Sequence, residues 1–213
     1  MAKSSGLGQA LFVQGYDLST DASALDGAGY NQEMLEITGI DKSATERVAG
    51  RLESSITING WFDNADDKAH EAYRVSNKLP TGDRAVTYLL GTAIGEPALF
   101  LNAKQATYDI TNSPGSALAT TATFSSTASV SGFDGTAFGV MLDAGATTYT
   151  STTNGTTVDQ SASSAAGSVA CLQFVSGVSV SSLVAKIQHS SDGGSGQTLL
   201  HFQQYLRTHQ RLK

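Results

Sequence analysis

The chain of 213 residues holds one cysteine, one tryptophan and three prolines. A single thiol, Cys171, excludes an internal disulfide and a cysteine-rich metal site. In VACLQFV (Val169–Val175) it reads as a small buried apolar residue. Charged residues make up 15% of the chain, well under the roughly one quarter usual for a globular domain. From Gln105 to Ala185 there is no Lys, Arg or Glu, so that surface must be solvated by hydroxyls and amides. No run of about 18 apolar residues exists, which argues against a membrane-spanning helix. The start, MAKSSGLGQALFVQG, lacks a long apolar run ahead of a cleavage site. It reads as lacking a signal peptide, and synthesis in a cytoplasm is the expectation. A net charge of −6 speaks against a surface that coats nucleic acid.

Motifs that carry chemistry are equally scarce. A Gly-x-Ser-x-Gly elbow is absent. His189, Ser190, Ser191 and Asp192 are contiguous, which suits a turn rather than a triad. His70, His201 and His209 have no partner at metal-ligand spacing, and His70 reads as an exposed helical residue. Neither a phosphate-binding nor a dinucleotide glycine pattern follows a strand and opens a helix. The expectation is a protein that is not an enzyme and takes no cofactor.

Short strands and turns are what the sequence does contain. In Ser55–Phe62 the residues Ser55, Thr57 and Asn59 alternate with Ile56, Ile58 and Gly60, a half-buried strand. A short helix is expected at about 65–77, capped by Asp63 or Asn64. Ala69, Ala72, Tyr73 and Ser76 share its inner face, and Pro80 and Gly82 stop it. Further strands are expected at Ala10–Leu18, with Leu11, Val13 and Tyr16 inward, then at Glu33–Thr38, Ala85–Leu90, Leu99–Ile110 and Leu118–Phe124. Asp17–Tyr30 reads as a surface connection. In Glu33–Thr38 the apolar side is ambiguous. Gly39–Leu52 reads as a long charged loop carrying Asp41, Lys42, Glu46, Arg47 and Arg51. Loops of about 12 residues or more are usually functional or disordered. The plainer reading is a solvated hairpin loop; the sharper one is an arm that docks on a neighbouring subunit. On sequence alone the plainer reading leads.

Residues 128–137 read as a linker. Beyond it, Val140–Leu142, Thr147–Thr150, Thr156–Gln160, Ser168–Val175 and Val180–His189 are expected to be short strands of an antiparallel sandwich. A closing strand around Leu199–Leu206 and a basic tail at 207–213 complete a second, smaller domain over 138–206.

YDLS (Tyr16–Ser19) precedes LEITGIDKSATERVAG (Leu35–Gly50), then SSITINGWFDNADD (Ser54–Asp67), the helix, and ATTATF (Ala119–Phe124). This order of pieces resembles the tail tube proteins of long-tailed bacteriophages. The match covers about Gly8 to Thr127. It implies a mainly β fold of sandwich or barrel type with one short helix, here at 1–127, beside the second sandwich. It implies homohexameric rings that stack into a tube in the virion and conduct DNA without specific binding. Tape measure and tail terminator proteins are the implied partners, and no membrane is involved. It makes Asp41, Lys42, Glu46, Arg47 and Arg51 contacts between subunits. A capsid decoration protein or a host-surface carbohydrate-binding β-sandwich is the alternative.

Overall fold

The computed structural model describes residues 7–128, 133–143, 147–159, 169–175, 183–189 and 197–204. The chain is mainly β, with antiparallel sheets and, among the described residues, one short helix. It divides into two compact units, Met1–Val175 and Ser176–Lys213.

In the first unit, β1 (Ala10–Val13) turns back into β2 (Tyr16–Asp17) through Gln14 and Gly15, with φ of 50° and 86°. Two left-handed residues give the tight-hairpin geometry that follows strand twist. The single strand expected over Ala10–Leu18 is therefore a hairpin, with Leu11 and Val13 buried and Tyr16 half-buried. There follow β3 (Ala22–Asp26), β4 (Asn31–Glu36), β5 (Arg47–Glu53), β6 (Ser55–Trp61), α1 (Ala69–Ala72), β7 (Arg84–Leu89), β8 (Pro97–Thr111), β9 (Ala119–Ser126) and β10 (Thr136–Val140). One eight-stranded sheet runs β2-β1-β7-β8-β9-β6-β3, with β10 also beside β8.

The 15-residue β8 belongs to both halves of this sheet. Its first part pairs with β7 and β10, and its later part with β9, with a bulge between Gln105 and Thr107. Bulges bend a strand and raise its twist. The halves meet in one core: Leu11, Val13 and Val86 from one side, Ile56, Ile58, Ala122 and Phe124 from the other. The alternation read in SITING holds, for Ile56, Ile58 and Gly60 are all buried. Gly60 is required by close approach. A Cβ there would meet the Asp21 carbonyl at 2.2 Å, and the Trp61 amide donates to that same oxygen (2.9 Å).

The helix spans Ala69–Ala72, much shorter than the expected 65–77. Asp67 and Ser76 stand at φ of 62° and 54°, and a left-handed residue ends right-handed winding on each side. The Asp63 side chain closes a local turn onto the Ala65 amide (2.9 Å), and only its backbone carbonyl reaches the helix, accepting from the His70 amide (3.0 Å). The Ala69 amide instead donates to Asp21 Oδ2 (3.1 Å), a buried carboxylate 48 residues earlier. At the other end the Arg84 guanidinium donates to the Ala72 carbonyl, and Gln105 Nε2 to that of Tyr73 (2.8 Å). These three side chains satisfy open groups at both ends that so short a helix cannot satisfy itself. Ala69, Ala72 and Tyr73 face the core as expected, whereas Ser76 is exposed.

Several expectations for the second half need correction. Thr136–Val140 is a strand of the first sheet, so the supposed linker at 128–137 holds the start of β10, and the chain divides after Val175. The described parts of the strands expected within 147–160 and 168–175 are irregular. Gln173 docks on β1 and β7, accepting from the Gly15 amide (2.8 Å) and donating to Thr87 Oγ1 (2.5 Å). Val175 packs on Phe12, Leu89 and Met141. Cys171 is exposed rather than buried, its Sγ 3.6 Å from Oγ1 of the half-buried Thr87. In the second unit β11 (Leu183–His189) pairs with β12 (Gln197–Gln204), which places strands where Val180–His189 and Leu199–Leu206 were expected. Among the described residues that unit shows this hairpin rather than a sandwich. The basic tail at 207–213 lies outside the described residues.

Candidate assembly arm

β4 and β5 form a two-stranded sheet of their own. The ribbon grows out of the edge pair β3–β6, with only Ser54 between β5 and β6. Ser54 is buried and pinned to β9: its amide donates to Ser126 Oγ (3.0 Å) and its carbonyl accepts from the Ser126 amide (2.7 Å). On the other leg the Tyr30 hydroxyl accepts from the Phe138 amide (2.8 Å), and the two rings meet edge to face at 5.3 Å. The root is thus held to two other strands, while the ribbon beyond it leaves the core.

Every residue of β4 is exposed. Leu35 faces Val48 across the ladder, Met34 faces Ala49, and Glu36 faces Arg47. Since neighbours in a strand point to opposite faces, apolar side chains stand on both sides of the ribbon. Met34 is 59% exposed, Ile37 57%, and Leu35 and Val48 nearly half. The ambiguous apolar side of Glu33–Thr38 has its cause here: the ribbon has no core to choose.

The tip is ordered. The Ile37 amide donates to the Glu46 carbonyl (3.0 Å) and the Glu46 amide to Thr38 Oγ1 (2.9 Å). The Lys42 amide reaches the Gly39 carbonyl (3.1 Å), closing a turn with Ile40 and Asp41 at its corners, both exposed. Lys42 and Glu46 pair at 3.4 Å with both side chains about half exposed, so the pair adds little stability. Asp41, Lys42 and Glu46 therefore lie in the loop. Arg47 and Arg51 do not: the loop expected over 39–52 ends at Glu46, and β5 begins at Arg47. Val48 and Leu52 find ladder partners in Leu35 and Gln32, and the irregular step between them, around Glu33 and Gly50–Arg51, is absorbed as a bulge. Sequence reasoning singled out the charges and missed the apolar set Met34, Leu35, Ile37, Ile40 and Val48.

A lone hairpin is marginally stable in water, and its outer edges carry unpaired backbone groups. Clustered exposed apolar side chains on such a ribbon are unusual on a monomer surface. Elsewhere His70 is half-buried rather than exposed, because its Nδ1 lies 2.9 Å from the Tyr108 hydroxyl and its ring packs on Phe62. Among the described residues no group of three His, Cys, Asp or Glu is placed to hold a metal, and no helix is long and apolar enough to cross a membrane.

The sequence matches no protein-family model and no curated protein. Chains of several solved assemblies are similar in structure. One from the virion of a native gene transfer agent particle is 13% identical, with a TM-score of 0.43 over 65% of this chain and 99% of that one. One from the tail of an empty gene transfer agent particle is 16% identical, with a TM-score of 0.43 over 60% and 96%. One from the anti-feeding prophage tube-terminating cap is 10% identical, with a TM-score of 0.48 over 66% and 93%.

Proposed function

We propose that this chain is a structural subunit of a phage-type tail tube, acting by self-assembly rather than catalysis. The observation that carries the reading is the β4–β5 arm, whose apolar residues are exposed on both faces of a ribbon anchored to a well-packed sheet. Another protein surface would give those side chains an apolar environment. A second copy is the economical choice, since contacts between unlike surfaces repeat into a filament. The resemblance in motif order adds the specifics: six copies in a ring, rings stacked into a tube within the virion, DNA passing through the lumen, and tape measure and terminator proteins as partners. A net charge of −6 suits a conduit through which DNA slides without adhering.

Negative-stain electron microscopy of the purified protein tests this. Rings or tubes are the expected result. A protein that stays monomeric, or trimers that bind capsids or glycans, overturns it in favour of a decoration or carbohydrate-binding module.

A further inference from the structure

Between the β1–β2 turn and the segment joining α1 to β7 lies a cavity of about 320 Å³, lined by Val75, Leu79 and Pro80 on its apolar side and by Lys78 and Arg84 on its cationic side. The rim is preformed, because Val75 and Lys78 exchange backbone hydrogen bonds at 2.9 and 3.1 Å. Arg84 is more than nine-tenths buried, and its Nε has no hydrogen-bond partner. Among the described residues it meets no carboxylate. The wall's one acid, Asp83, is already paired with Lys104 (2.5 Å). The exposed Lys78 and the Arg84 guanidinium on the same wall, beside an exposed Val75 and Leu79, suit a ligand that is part apolar and part anionic.

The arm tip has that chemistry. Its closed turn holds out Ile40, fully exposed, and Asp41 next to it. We infer that the cavity is the socket in which the arm tip of a second copy docks, with Ile40 against Val75, Leu79 and Pro80, and the Asp41 carboxylate toward Lys78 and Arg84. The inference rests on the assembly reading above and specifies where the arm goes. Tip and socket are different surfaces of one chain, so the contact repeats from copy to copy.

The test uses the full chain carrying Cys171→Ser, with Ile40→Cys and Leu79→Cys added together and oxidised after assembly. Both positions are exposed, so folding is expected to survive. The expected result is a ladder of covalent multimers, with no ladder from either cysteine alone. In parallel, Asp41→Lys and Lys78→Glu should each raise the concentration needed for assembly about tenfold, and the two together should restore it. Normal tubes without a ladder overturn the socket and leave the assembly reading standing. A parent protein that forms no assemblies overturns both.

Discussion

β5 and β6 are nearly one continuous strand, parted by Ser54, yet their surroundings differ completely. β6 lies between β9 and β3, and every second residue is buried. β5 has β4 alone, and no residue of either strand is fully buried. One nearly continuous run of chain thus ends in a core on one side of Ser54, where it carries no charge, and in a free ribbon on the other, where it carries Arg47, Arg51 and Glu53. The difference teaches that stability and association are separable in the proposed assembly: the sheet holds the fold, and the arm carries the surface proposed for the contacts. Substitutions in the two regions should therefore register in different experiments.

The largest effect on stability is expected from Phe124→Ala. Phe124 is fully buried at the centre of the core and packs on Tyr73, so truncation should lower the unfolding free energy by about 3–5 kcal/mol. Leu35→Ala, on the arm, removes another large apolar side chain but from an exposed site. It should change stability by no more than about 0.5 kcal/mol while weakening assembly. Urea denaturation of both variants checks the pair; equal losses would erase the distinction between sheet and arm.

Asp21→Ala comes next. It removes the acceptor for the Ala69 amide and the carboxylate 3.6 Å from Lys68 Nζ. The buried amide loses its partner, at an expected cost of about 1–3 kcal/mol in thermal or chemical unfolding. An Asp21→Ala protein as stable as its parent would show that α1 needs no cap from outside.

The arm's charges should matter still less to stability. Arg47→Glu with Arg51→Glu alters two exposed residues, so the monomer should unfold within about 0.5 kcal/mol of the parent. Polymerisation should nevertheless be blocked, as followed by sedimentation. Tubes of ordinary length from this variant would remove the charges from the contact.

The same contrast explains what the sequence could and could not reveal. Where one face meets a core, alternation is legible, and β6, β8 and β9 stand close to where they were read. The edge strand β3 was missed because ASALD pairs only with β6 and buries little. Thr147–Thr150 is rich in strand formers but offers no apolar face, so β-propensity alone produced no strand there. The helix is shorter than its pattern suggests because Asp67 and Ser76 turn left-handed without a glycine to mark them, and because the cap from Asp21 comes from 48 residues away. The arm was half legible. Its charges and turn could be located, but its exposed apolar residues resembled any strand with an undecided face.

The smallest effect concerns pH and belongs to the sheet side of the comparison. Burial first, then the positive charge of Arg74, holds the His70 imidazole below its ordinary value of 6.5. The folded chain therefore binds this proton less readily than the unfolded chain, and protonation favours unfolding. Its contribution to stability is fully present above pH 6.5 and is lost as pH falls through the lower folded value. His70→Gln can keep a hydrogen bond to Tyr108 but does not titrate. Unfolding midpoints measured between about pH 7.5 and 5.5 should fall more steeply for the parent than for this variant. Because other histidines contribute equally to both proteins, the difference in slope isolates His70. Identical slopes would mean that its ring is as well hydrated as any residue on the arm.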